Sequence, residues 1–289
     1  NIPMIIYILL IHITAVYGVT RISYCKLETI LFAFILFPIS GLGITAGTHR
    51  LWAHRSYTAS YNLRMFLMIC NSIANQGSIY HWARDHRVHH KYAETDADPH
   101  NAKRGFWFSH IGWLFVKKHP NVIEGGKRLP VDDLLSDSVV ILQKNLDPWF
   151  ALGMCFLFPG YISTLWGDNF TYGVLIAGSL RYVVILHFTW CVNSVAHIYG
   201  DRPYDKTIHA TENYFVSIVA IGEGWHNWHH KYPFDYAASE FGIFYQYNPT
   251  KLFLDTMYYI GSATDFKRAT SIWEKKKLTS IRNNLKISQ

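Results

Sequence analysis

Charge is scarce in this chain. Asp, Glu, Lys and Arg supply 16% of its 289 residues, against about 25% in an ordinary soluble domain. The deficit leaves four long stretches almost free of charge, which excludes a simple soluble enzyme. Cysteine is scarce too. Cys25, Cys70, Cys155 and Cys191 are scattered without CxxC spacing, so free thiols are expected rather than disulfides or thiolate metal ligands. There is no internal repeat, no low-complexity segment and no nucleic-acid-binding signature. The first apolar stretch, which lacks a basic flank and is long, is expected to be a span rather than a cleavable signal peptide.

Half of the chain is apolar and 16% is aromatic, rich in Tyr and Trp, residues that favour membrane–water boundaries. The uncharged stretches are Asn1–Thr20, Thr29–Thr48, Pro148–Gly167 and Asn169–Tyr199, the last interrupted by Arg181. About 20 apolar helical residues cross a hydrocarbon core of about 30 Å. The expected fold is an all-α integral membrane protein with four transmembrane helices and a cytosolic helical cap. A fifth stretch, Met65–Tyr80, holds Asn71, Asn75 and Gln76 and is expected to be buried in protein or interfacial. Two hairpins then leave all but three of the 27 Lys and Arg (Arg21, Lys26 and Arg181) on one side. The excess of cations makes that side cytosolic. The net charge of +7 suits anionic headgroups or a phosphate-bearing substrate.

Histidine is abundant. Eight of the sixteen fall in three short patches: HRLWAH at His49–His54, HRVHH at His86–His90 and HNWHH at His226–His230. A ninth candidate, His197, lies in NSVAH and shares a helix face with Asn193. In each HxxHH the histidines at i, i+3 and i+4 present nitrogens from one side of a helix. Fixed spacing separates these patches from loose His-rich tracts. One zinc needs only about four ligands, so two metals account for the set more economically. Imidazole suits Fe, Cu, Zn and Ni alike. His49 and His54 are five apart and diverge on an ideal helix, so they share a metal only through a helix distortion or from adjacent turns.

Structural roles are expected for His12, which lies in the first span with no partner histidine nearby, and for His81, His100, His110, His119, His187, His209 and Arg181. The asparagine of Asn169-Phe170-Thr171 lies too close to the membrane to be glycosylated. Residues 105–120 alternate aromatic and basic side chains, as in a helix at headgroup level. Pro38, Gly41, Gly43 and Gly47 allow close packing in the second span. The basic stretch Lys275–Gln289 reads as a mobile tail.

The three patches, together with His81-Trp82-Ala83-Arg84-Asp85-His86 and NSVAH, resemble the membrane-bound acyl-CoA desaturases of the Δ9 type over the chain as far as about Phe266. The resemblance implies a single desaturase domain over residues 1–289: a membrane hairpin at 1–48, a cytosolic part at 49–147, a second hairpin at 148–199, a cytosolic part at 200–274 and a tail at 275–289. It implies two irons. His49, His54, His86, His90 and His230 would bind one, and His89, His197, His226 and His229 the other, with Asn193 acting through a water. Gln76, Trp82, Thr189 and Trp190 would line and kink a substrate tunnel, with Phe37 and Gly41 near its end. Arg84 and Asp85 would meet the CoA head group, and Lys117 and Lys118 its phosphates. Gly77 stands where relatives can carry Asn.

The resemblance further implies O2, a long-chain saturated acyl-CoA, electrons from NADH through cytochrome b5 and its reductase, a cis double bond as product, and the endoplasmic reticulum membrane. No acid–base or nucleophile set in the chain could attack an unactivated methylene, so the metal carries the chemistry. Asp85, Asp96, Asp98, Glu212 and Glu223 are candidates to orient ligand imidazoles. The alternatives are a fatty acyl hydroxylase on the same centre, separated by product mass, and a membrane metal transporter, which would need polar ligands deep in several spans.

Overall fold

A computed structural model of the chain describes residues 1–287 and is mostly helical. The first apolar stretch forms α1 (Ile2–Val19) and the second forms α2 (Leu27–Ala53). Then come α3 (Tyr61–Ala74) and α4 (Ile79–Tyr92), and short helical turns cover much of residues 102–146. The remaining helices are α5 (Trp149–Thr164), α6 (Phe170–Ile198), α7 (Tyr214–Val219), α8 (His226–Lys231), α9 (Pro249–Tyr259) and α10 (Thr270–Ile287).

Among the described residues, three helices are long and apolar enough to cross a membrane: α1, α2 and α6. The expected third span appears as α5, which is shorter than the other three. Met65–Tyr80 does not form one helix. Asn75 at φ 48° and Gly77 at φ 88° turn the chain between α3 and α4, and Ser60 and Ser78 cap the two helices from their side chains. The inner face of α3 is buried, as expected for a helix enclosed in protein. The basic C-terminal stretch, expected as a mobile tail, continues α10 as far as Ile287, and its last two residues lie outside the described part.

Leu9, Leu10, Ile13 and Val16 of α1 are exposed apolar residues, as lipid contact requires. The opposite face packs Ile8, Ile11 and Ala15 against Tyr182, Val183, Ile185 and Leu186 of α6. Helix α2 crosses α3 at Gly43, where a Cβ would lie 2.1 Å from the Asn71 nitrogen and 2.3 Å from the Cys70 carbonyl carbon. Only glycine fits there. Arg181 is buried without a carboxylate, and its guanidinium donates to the carbonyls of Ala177, Ile73 and Cys155 and to Ser40 Oγ. It stitches membrane helices together, the structural role expected of it.

A second core gathers Leu63, Leu67, Ile79, Ala83, Val140 and Leu254. A two-stranded antiparallel ribbon, Thr58–Ala59 with Ala263–Thr264, ties the segment after the first patch to the segment between α9 and α10.

Candidate metal centre

Three helices and one helix end bring the histidines together. From Gly43 to Ala53, α2 winds as a π-helix. The His54 amide donates to the His49 carbonyl at 3.1 Å. Bonding from i to i+5 puts residues five apart on one face, so the distortion that the spacing demanded is present. Arg87 of the second patch ties this end down, donating to the Trp52 carbonyl at 2.7 Å and the Ala53 carbonyl at 3.0 Å, with Asp133 as its counter-ion. Glu212 caps α8 by accepting the Trp228 amide at 2.8 Å.

The nine imidazoles form two groups. One holds His49, His54, His86, His90 and His229; the other holds His89, His197, His226 and His230. In the first, Nε2 atoms approach at 2.9 Å (His49–His229), 2.9 Å (His54–His86) and 3.0 Å (His229–His90). In the second the spacings are 3.0 Å (His226–His197), 3.1 Å (His230–His226) and 3.3 Å (His89–His230). Nitrogens about 2.1 Å from a common ion and at right angles about it stand roughly 3 Å apart, so the donors fit metal ions.

Tautomers fit as well. His49 Nδ1 lies 2.9 Å from Glu223, His89 Nδ1 2.9 Å from Asp98 and His197 Nδ1 2.9 Å from Glu94. Each carboxylate accepts the Nδ1 proton and leaves the Nε2 lone pair facing inward. Burial first, and neighbouring imidazoles second, hold His86, His90, His226 and His230 well below the ordinary imidazole value. They are neutral at pH 7, the state that binds metal. Burial alone would raise the Glu223 carboxyl, but Arg50 and His49 outweigh it and hold it at about 2.

The grouping corrects one expectation. His229, not His230, joins the five-histidine group, and His230 joins His89, His197 and His226. Helix geometry gives the reason. Residues i and i+4 nearly eclipse, whereas i+3 falls to the other side of that line. His86 and His90 therefore share a group and His89 leaves it. His226 and His230 likewise share a group, and His229 leaves it.

One residue was missed and one further expectation changes. Glu94 carries His197 and did not stand out in sequence. Its place just after the second patch was the available signal, and there the chain turns at φ 57°. His12 does have a partner. Its Nε2 lies 3.1 Å from His187 Nε2, His187 Nδ1 lies 3.0 Å from His110, and His110 Nδ1 lies 2.9 Å from Ser194 Oγ. These rings join α1, α6 and the 108–112 turn, which is still a structural role. Of the candidate carboxylates, Glu223 and Asp98 meet imidazoles. Asp85 instead pairs with Arg84 and Lys118. Glu212 caps α8, and burial pushes its carboxyl up to about 8. No imidazole partner for Asp96 is seen among the described residues.

Two cavities lie beside the first group and share part of their lining. The larger, about 520 Å³, is bounded by Gln76, Trp113, Leu114, Leu186 and Trp190, with Asp85 at its wall. The smaller, about 60 Å³, runs between Phe37, Gly41, Ile185 and Phe188. Trp82, His86, Thr189 and Asn193 line both. Trp82 stacks on His86 at 4.8 Å, and Gln76 donates to Thr189 Oγ1 at 2.9 Å. The residues common to both cavities thus include one of the metal-competent histidines, His86. Lys117 and Lys118 line a surface groove that shares Trp113 and Leu114 with the larger cavity. Gly77 lines the larger cavity, and a Cβ there would meet nothing within 4 Å, but its φ of 88° favours glycine over Asn.

Fold and site together define a helical membrane protein built around a histidine metal centre. Residues 28–243 match the family model for fatty acid desaturases. The chain is 53% identical over 262 residues to stearoyl-CoA desaturase 5 of Bos taurus, covering 90% of this chain and 78% of that protein. It is 50% identical over 267 residues to stearoyl-CoA desaturase 2 of Mus musculus, covering 92% and 74%. Against the stearoyl-CoA desaturase of Homo sapiens the identity is 49% over 267 residues, again covering 92% and 74%. The chain belongs to the fatty acid desaturase family.

Proposed function

We propose that this chain is an acyl-CoA desaturase that uses O2 and two irons to place a cis double bond in a long-chain saturated acyl chain. Its membership of the desaturase family makes it an oxidoreductase acting on acyl-CoA. The observation that carries the di-iron reading is the convergence of nine imidazoles in two groups beside an apolar cavity. Bound there, the metal pair would supply the oxidising power to remove two hydrogens from adjacent methylenes.

The chain's own residues do the rest. Lys117, Lys118 and Arg84 would attract the CoA phosphates. Asp85, which bridges Arg84 and Lys118, would hold these cations in place until the head group arrives. The acyl chain would follow the larger cavity past Gln76 and Trp190, bend at Trp82 and Thr189, and end between Phe37 and Gly41. That bend would present two methylenes on one side and favour a cis product. The apolar walls exclude water from the reacting carbons. His49, His54, His86, His90 and His229 would bind one iron, and His89, His197, His226 and His230 the other, with Asn193 holding a water.

In this reading α5 completes a fourth span, paired with α6, and the histidine-bearing part is a cytosolic cap within one domain over residues 1–289. The protein would lie in the endoplasmic reticulum membrane and receive electrons from NADH through cytochrome b5 and its reductase. Expression in a desaturase-deficient host, followed by location of the double bonds by mass spectrometry, tests the reading. New monounsaturated acyl chains are the expected result; hydroxylated chains or an unchanged lipid profile would oppose it.

A further inference from the structure

The charges around the two histidine groups are not equivalent. Beside the five-histidine group lies one carboxylate on an imidazole, Glu223, and a buried arginine neutralises it. Arg50 Nη2 stands 2.8 Å from Glu223 Oε1, while the other oxygen faces His49. The same guanidinium is fixed by the Tyr236 and Ala237 carbonyls, both at 3.0 Å. Arg87, near the same group, is balanced by Asp133. Beside the four-histidine group lie two carboxylates, Asp98 and Glu94. Among the described residues neither pairs with a lysine or arginine. Asp98 accepts only from His89 and from the amides of Glu94 and His100, and Glu94 from His197.

We infer that the two metal positions differ in reduction potential, the ion at the five-histidine position taking the first electron because Arg50 cancels Glu223 while Glu94 and Asp98 stay uncompensated. The inference rests on the di-iron reading above. A fixed negative charge favours the more positive ion in a low-dielectric interior, and net charge and hydrogen bonds to the ligands are established levers on metal potentials. A carboxylate on Nδ1–H also makes its imidazole a stronger donor to the oxidised metal. Two of four ligands have that partner at one position, against one of five at the other, where Arg50 draws on the same carboxylate. Cavity access runs the same way: two imidazoles of the five-histidine group, His49 and His86, line the smaller cavity, where the four-histidine group contributes none, so in this reading the ion reduced first has its ligands against the substrate path.

The test uses the full chain in detergent, loaded with iron, and a redox titration followed by Mössbauer and EPR spectroscopy. Two irons per chain with two separated one-electron steps are expected. Arg50→Gln leaves Glu223 uncompensated and should make the first reduction at least tenfold less favourable, which is about 59 mV for a one-electron couple. Glu94→Gln keeps an acceptor for His197 but removes a charge, and should make the second reduction at least tenfold more favourable. Opposite shifts on different steps exclude a general loosening of the structure. Should Arg50→Gln fail to fold, Glu94→Gln carries the test alone. Two irons that titrate in a single step, or a Glu94→Gln protein with an unmoved second step, would overturn the inference and leave the di-iron reading standing. Fewer than two metals per chain would overturn both.

Discussion

His49 and His54 lie five residues apart, yet the amide of His54 donates to the carbonyl of His49 at 3.1 Å, and the two rings approach to 4.8 Å between centroids. The π-helix that makes this possible begins at Gly43, where α2 meets α3 backbone to backbone. Gly43→Ala would force the helices apart. Overpacking of this kind costs about 3 kcal/mol. A lowered Tm and reduced metal content, measured by thermal unfolding and elemental analysis, are the expected outcomes.

Glu223 orients His49 and neutralises Arg50. Replacing it by Ala strands a buried guanidinium, and breaking a buried pair costs about 3–5 kcal/mol. Loss of the partner to a ligating imidazole lowers metal affinity roughly 10- to 100-fold. Glu223→Gln keeps an acceptor for His49, so competition with a metal chelator should rank wild type above Glu223→Gln and Glu223→Ala last.

Gly41 faces the smaller cavity, where a Cβ would stand 2.9 Å from the Ile221 Cδ1 atom. That neighbour is the free end of a flexible side chain, so a larger residue can be accommodated at the expense of the cavity. Gly41→Leu should move the preferred substrate to shorter acyl chains with total activity on those chains retained. Competition between acyl-CoAs of graded length reads the shift directly; an unchanged preference would remove Gly41 from the chain path.

The metal-free protein should lose stability in acid in two stages. His86, His90, His226 and His230 have folded values well below the ordinary 6.5, so below pH 6.5 the unfolded chain binds protons that the folded chain does not. Stability therefore falls as the pH drops through 6.5. Glu223, held at about 2 against 4.5, contributes stability that is complete above 4.5 and is lost as the pH falls from there towards 2. Thermal unfolding of the metal-free protein between pH 8 and pH 4 should show the first decline below 6.5, and bound metal should suppress it.

Much of this was legible in the sequence because it depended on local patterns. Charge-free runs located α1, α2 and α6, histidine spacing located eight of the nine ligand candidates, and the pairing of Asn193 with His197 late in an apolar run located the ninth. The misread parts depended on contacts between distant segments. The allotment of His229 and His230 turns on how α8 rotates against α4. Glu94 meets His197 103 residues away, and His12 meets His187 175 residues away; neither separation leaves a periodic trace. The third apolar run also located a helix, α5, but not its length: the helix ends at Thr164, a few residues short of the uncharged run, because apolar composition does not say where winding stops.

Anomalous diffraction from crystals of the iron-loaded protein, recorded at the iron edge, tests the central claim most directly. Two peaks are predicted, one enclosed by the Nε2 atoms of His49, His54, His86, His90 and His229 and the other by those of His89, His197, His226 and His230. A single peak, or iron bound away from these nitrogens, would contradict the account.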